Sequence, residues 1–103
     1  MARAVLAEKK GQDICLLDVR GISGFSDYTL IVTGNSPPHV RALHDGVLRA
    51  GKDAGVHAYR HTGDPESGWM VIDYVDVVIH VFSDQARRYY AVEELWAKAP
   101  RLP

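Results

Sequence analysis

Residues 69–82 constrain the fold more tightly than any other part of the chain. Two apolar runs, Trp69-Met-Val-Ile-Asp-Tyr74 and Val77-Val-Ile-His-Val-Phe82, lie there almost end to end. Both are rich in β-branched and aromatic residues, which suit a pleated, covered surface, so both are predicted as strands. The intervening Tyr74-Val75-Asp76 is either the bend of a hairpin or the middle of one long strand. Strands this apolar need other elements packed over them.

The rest of the chain supplies those elements. Ile14-Cys-Leu-Leu-Asp-Val19 is a short apolar run bounded by polar residues, and Tyr28-Thr-Leu-Ile-Val-Thr33 is β-branched and aromatic. Both read as strands, joined by a loop over residues 20–26 with two glycines and two serines. After Gly34-Asn35, Ser36 is a side-chain cap and Pro37 suits a first helical position, where no N–H partner is needed. Val40, Leu43, Val47 and Ala50 then form one apolar helix face. Gly46 and Gly51 weaken that helix by up to about 1 kcal/mol each unless packing requires them. Gly55 ends it. Residues 56–59 are a candidate short strand, and residues 60–68 read as a polar surface loop. A last helix, capped by Ser83 or Asp84, is predicted to run to about Ala97. Tyr89, Val92 and Trp96 form its apolar face, with Arg87, Arg88, Glu93 and Glu94 mostly on the other side. Residues before Gly11 read as the tail of a helix that begins abruptly. The expected fold class is α/β, a mixed sheet flanked by helices, with a strand–helix–strand crossover.

At 103 residues the chain suits a single domain, and its 47% apolar content is ordinary for a globular protein. The net charge of −1 lacks the basic field needed to hold nucleic acid by its phosphates. The lone Cys15 excludes an intrachain disulfide and fits a reducing compartment. No apolar stretch approaches the roughly 18 residues of a membrane span, and the first ten residues are too charged for a secretory signal. A cytoplasmic protein is expected.

Few residues form a chemical set. Thr33-Gly-Asn-Ser36 lies at a strand–helix junction that can bind phosphate, but no Gly-Lys-Ser/Thr follows, and turn chemistry favours plain capping. Nucleotidyl transfer needs paired carboxylates for two metals. Asp73 and Asp76 are the nearest pair, and on a continuous strand residues three apart face opposite ways. His57 and His61 have i, i+4 spacing in a segment that does not read as helix, so they are taken as solvated. His80 interrupts an apolar strand, either as a hydrogen-bonded core histidine or as a functional one. Trp69 follows a polar loop at a strand edge and is either an interface anchor or a core plug.

Several blocks, taken in order, resemble the ribosomal silencing factor family (Iojap, RsfS). They are Asp13-Ile-Cys-Leu-Leu-Asp-Val19, Ser26-Asp-Tyr28, Thr33-Gly-Asn-Ser36, Ser67-Gly-Trp69, Asp73-Tyr-Val-Asp-Val-Val-Ile-His-Val-Phe82 and Arg88-Tyr-Tyr-Ala-Val-Glu-Glu-Leu-Trp96. The resemblance covers residues 12–96. It implies a nucleotidyltransferase-like core without catalytic carboxylates, no cofactor and no enzymatic activity. It further implies binding to the large ribosomal subunit through ribosomal protein L-fourteen. Joining of the small subunit would be blocked and translation repressed under nutrient limitation. Homodimers are common in such a family. Carried over, the partner surface comprises Trp69 and Met70, with Asp73, Asp76 and His80. Three departures stand out. Val75 replaces the usual Gly, which predicts a looser turn; residues 60–66 lack the usual Gly-x-Glu-Gly form; and the N-terminal helix is shorter than usual.

Overall fold

Burial along Trp69–Asp73 alternates half-buried and buried, so this strand has two faces with different neighbours. The same alternation, carried across a sheet, organises the molecule. The computed structural model describes residues 2–22 and 26–102. Its elements are α1 (Ala2–Glu8), β1 (Gln12–Asp18), β2 (Tyr28–Gly34), α2 (Pro37–Asp53), β3 (Arg60–Asp64), β4 (Trp69–Asp73), β5 (Val77–Ser83), α3 (Asp84–Tyr90), α4 (Val92–Leu95) and β6 (Arg101–Leu102). A 3-10 turn, Pro65–Ser67, joins β3 to β4. The expected loop over residues 20–26 falls partly on 23–25, outside the described residues.

One six-stranded sheet has the order β3-β4-β5-β2-β1-β6. β2 and β5 run parallel and the other described pairs antiparallel, so the sheet is mixed, as expected. The crossover is longer than the sequence reading suggested. α2 carries the chain from β2 past two strand positions to β3 at the edge, and two hairpins then bring it back to β5 beside β2.

One sheet face carries Leu30, Val32, Met70, Ile72, Ile79 and Val81, closed over by Leu6 of α1 and by Val40, Leu43 and Val47 of α2. Full burial of such side chains contributes about 1.5–3 kcal/mol each. Ser36 caps α2, its Oγ accepting from the His39 N–H at 3.2 Å. Gly51 of α2 is required by packing: a Cβ there would meet the Tyr74 hydroxyl and the Val56 carbonyl. The other face carries Cys15, Leu17, Ile31 and Phe82, against which Ala86 of α3 and Val92 of α4 pack.

Four expectations are corrected. Residues 60–68 are not an irregular loop: residues 60–64 pair with β4 as an edge strand, from Arg60 opposite Asp73 to Asp64 opposite Trp69. Their polarity reflects an edge position, where every residue is exposed. Residues 56–59 form no strand of their own. The last helix does not run unbroken to Ala97. It divides at Ala91, which adopts a left-handed conformation with φ of 46°. Tyr89, at the end of α3, is 80% exposed, whereas Tyr90 lies against Trp69 of the sheet. The turn between β4 and β5 is also tighter than Val75 suggested. Val75 adopts a φ of 76°, the Asp76 N–H donates to the Tyr74 carbonyl at 2.9 Å, and Asp73 Oδ1 accepts the Val75 N–H at 2.7 Å. The backbone keeps the left-handed form that glycine would adopt freely, and a β-branched residue bears the strain.

Candidate functional site: an aromatic sheet face around Trp69

The register brings Trp69, Val71 and Asp73 of β4 onto one face with Val78, His80 and Phe82 of β5. On the outer side of β4, Arg60, Thr62 and Asp64 stand opposite Asp73, Val71 and Trp69. α3 packs against β5 and β2, on the far side of this patch from β3. Phe82 is fully buried, whereas Trp69, Val71, Asp73, Val78 and His80 are each only half-buried. Arg60, Thr62, Val71, Asp73 and Val78 line a shallow depression in it.

Trp69 is the centre of an aromatic cluster. Its ring stacks on Phe82 at 5.1 Å between centroids, meets Tyr90 at 4.5 Å and lies 6.0 Å from His80. Tyr89 meets Tyr90 edge-on at 5.0 Å and extends the cluster into solvent. Such pairs contribute about 0.5–1.5 kcal/mol each beyond the area they bury. The indole N–H of Trp69 donates to His80 Nδ1 at 3.2 Å. Burial pushes the His80 imidazole down from its usual 6.5 to about 4, so it is neutral at physiological pH.

The remaining residues of the expected partner surface separate. Asp73 shares the face with Trp69 and His80. Its carboxylate accepts the Val75 N–H and lies 3.5 Å from Arg60 Nε. Met70 does not share it. As the next residue along β4 it points the opposite way, lies under α2 and is only 4% exposed, so it is a core residue. Asp76 sits in the exposed turn at the end of the hairpin, where its carbonyl accepts the Asp27 and Tyr28 N–H groups.

At the strand–helix junction of residues 33–36 two backbone N–H groups are taken by the protein's own side chains, and an open depression lined by Gly34, Asn35, Ser36, Ser83, Asp84 and Arg88 lies beside them. His39 Nδ1 accepts the Asn35 N–H at 2.9 Å, and its Nε2 lies 2.9 Å from the Lys9 carbonyl. Since Nδ1 accepts, Nε2 carries the proton and donates to that carbonyl. Among the described residues, no group of three or more His, Cys, Asp or Glu side chains is placed to hold a metal ion. No helix of the described residues is long and apolar enough to cross a membrane.

One residue whose spacing places it away from the apolar face of the last helix is a structural hub. Arg87 is 11% exposed at its side chain. It donates through Nε and Nη2 to the two Glu93 carboxylate oxygens at 2.8 and 3.1 Å, and through Nη1 to the Asp13 carbonyl at 2.7 Å and Thr33 Oγ1 at 2.8 Å. Residues six apart on a continuous helix lie about 120° from facing each other. The break at Ala91 makes this pairing possible, and no helical spacing announces it.

Together these features define a mixed-sheet α/β domain with one closed face and one half-open aromatic face. The sequence profile described as "Ribosomal silencing factor during starvation" (RsfS) matches residues 1–103. The chain belongs to this ribosomal silencing factor family. It is 38% identical over 100 residues to "Ribosomal silencing factor RsfS" of Bacillus subtilis, a match covering 97% of this chain and 85% of that protein. A crystal structure of a Chromobacterium violaceum protein superposes with a TM-score of 0.89 at 34% identity, over 93% of this chain and 80% of that one. One from Bacillus halodurans gives 0.86 at 33% identity, over 99% and 92%.

Proposed function

We propose that this protein is a translational repressor that binds the large ribosomal subunit and, seated there, excludes the small subunit. The docking partner in this reading is ribosomal protein L-fourteen, and the docking surface is the face headed by Trp69, with Asp73 at its far end. The observation that carries the reading is the half-buried Trp69, flanked by the rings of Phe82, Tyr90 and His80. A supported aromatic ring on an incompletely covered sheet is the kind of group that concentrates binding energy. The near-neutral charge suits a protein surface as target better than bare RNA.

The mechanism is steric. A complex burying about 1,200–2,000 Å² in total is sufficient for a stable, specific complex. No bond is made or broken and no cofactor takes part. The protein works in the cytoplasm, where its target is, and self-association into a homodimer would compete with docking if it used the same face. The test is sedimentation through sucrose gradients with purified large subunits, followed by addition of small subunits. The expected result is cosedimentation with the large subunit and a smaller yield of joined ribosomes. Failure to cosediment, or joining at the control yield with the protein bound, would refute the reading.

A further inference from the structure

We propose that His80 is the positioning residue of the docking surface: it fixes the orientation of the Trp69 indole through a hydrogen bond and makes no contact with the partner itself. This rests on the reading of Trp69 as a docking residue.

The ring–ring contacts of Trp69 leave one degree of freedom poorly determined. Stacking on Phe82 at 5.1 Å and the tilted contact with Tyr90 at 4.5 Å fix the place of the indole plane, but contacts between ring faces do not select which edge carries the N–H. A hydrogen bond is directional. The bond from the indole N–H to His80 Nδ1, at 3.2 Å, decides which edge of the ring meets His80 and which faces outward. The sheet places both groups correctly. Trp69 pairs with Phe82 and Val71 with His80, so Trp69 and His80 are diagonal neighbours on one face, within reach of long side chains. The His80 ring is itself held, nearly parallel to Phe82 at an interplanar angle of 7°.

The acceptor role also fixes the chemistry of His80. Nδ1 can accept only as a lone pair, so the ring must be neutral with its proton on Nε2. Burial favours that neutral form. An exposed, charged histidine would be a donor at both nitrogens and would turn the indole away.

A pre-oriented Trp avoids the ordering cost of a free side chain on binding, a gain of about threefold to tenfold in affinity. Two variants separate positioning from contact. In His80→Asn the amide Oδ1 can occupy nearly the place of Nδ1 and still accept. In His80→Leu the acceptor is gone and apolar bulk remains. The readouts are hydrogen exchange of the Trp69 indole N–H, resolved from Trp96 by a Trp96→Phe background, and affinity for purified large subunits. In His80→Leu the indole N–H is expected to lose protection and affinity to fall threefold to tenfold; His80→Asn is expected to restore both. The proposal is overturned if His80→Leu leaves the indole protected, if it binds as the wild type does, or if His80→Asn binds as weakly as His80→Leu. Should the wild-type protein fail to bind large subunits, the functional reading falls on its own. Indole exchange in the two variants still decides whether His80 holds the ring.

Discussion

Replacing Arg87 with Met tests whether the C-terminal helices are held by a charged hub or only by apolar packing. The substitution keeps most of the side chain's length and removes every donor. Three acceptors are affected. The Glu93 carboxylate, 38% exposed, loses two charge-assisted bonds but regains water, so its share is about 1–2 kcal/mol. The Thr33 hydroxyl, in a residue 2% exposed, loses its Arg87 partner away from water, at about 1–3 kcal/mol. The Asp13 carbonyl belongs to an exposed residue and rehydrates at little cost. The sum is about 2–5 kcal/mol, a large fraction of the stability of a small domain. Arg88→Met is the control: its bond to Asp84 is 2.9 Å long, but the two side chains are 75% and 67% exposed, so the cost is at most about 0.5 kcal/mol. Urea unfolding at pH 7 of wild type, both variants, Glu93→Ala and the Arg87→Met/Glu93→Ala double variant measures the costs and the coupling. The hydrogen bonds from Arg87 hold the Glu93 carboxyl below the usual carboxylate range. A depressed carboxyl contributes stability above its unfolded pKa and loses it as pH falls through the folded value. That acid loss should be smaller in Arg87→Met. If Arg87→Met costs no more than Arg88→Met, or if Arg87 and Glu93 show no coupling, the hub is an incorrect account of this corner.

Val75→Gly should stabilise the protein. Relief of a β-branched residue at φ of 76° is worth about 1–2 kcal/mol, against about 0.5–1 kcal/mol for the extra freedom of glycine in the unfolded chain. Val75 is 58% exposed, so little burial is lost, and denaturant titration should show a net gain of about 0–1.5 kcal/mol; a loss would contradict the strain argument. His80 should make stability fall in mild acid. Its folded value of about 4 lies below the unfolded 6.5, so between those pH values the unfolded chain binds the proton and the native state does not. Stability is full above pH 6.5 and declines towards pH 4, by up to about 3 kcal/mol, and the decline should be largely absent in His80→Asn. Equal pH profiles for the two proteins would refute the burial of a neutral imidazole.

The sequence was most legible where one rule governed several residues at once. Continuous apolar runs rich in β-branched and aromatic residues identified β4 and β5, and Ser36-Pro37 marked the start of α2 because capping chemistry is local. The edge strand Arg60–Asp64 was hidden because all five residues are exposed, so it carries no hydrophobic period. Two-residue β6 was too short to announce itself; it is defined by pairing with Leu16 and Leu17. The helix break at Ala91 has no glycine or proline to signal it. It goes with contacts that helical periodicity does not encode, Tyr90 to Trp69 across the fold and Glu93 to Arg87 six residues away. Within the candidate site, alternation alone separates Trp69 and Asp73 from Met70, since adjacent strand residues face opposite ways. Choosing which of those faces stays half-open required the placement of α2 on one side and of α3 on the other.

The central claim is that this face, through Trp69, holds the protein on the large ribosomal subunit. The most direct measurement is the affinity of Trp69→Ala for purified large subunits, with far-ultraviolet circular dichroism and a cooperative unfolding transition confirming its fold. The account predicts that the folded variant no longer cosediments with the subunit. A folded Trp69→Ala protein that cosediments at wild-type affinity would contradict it.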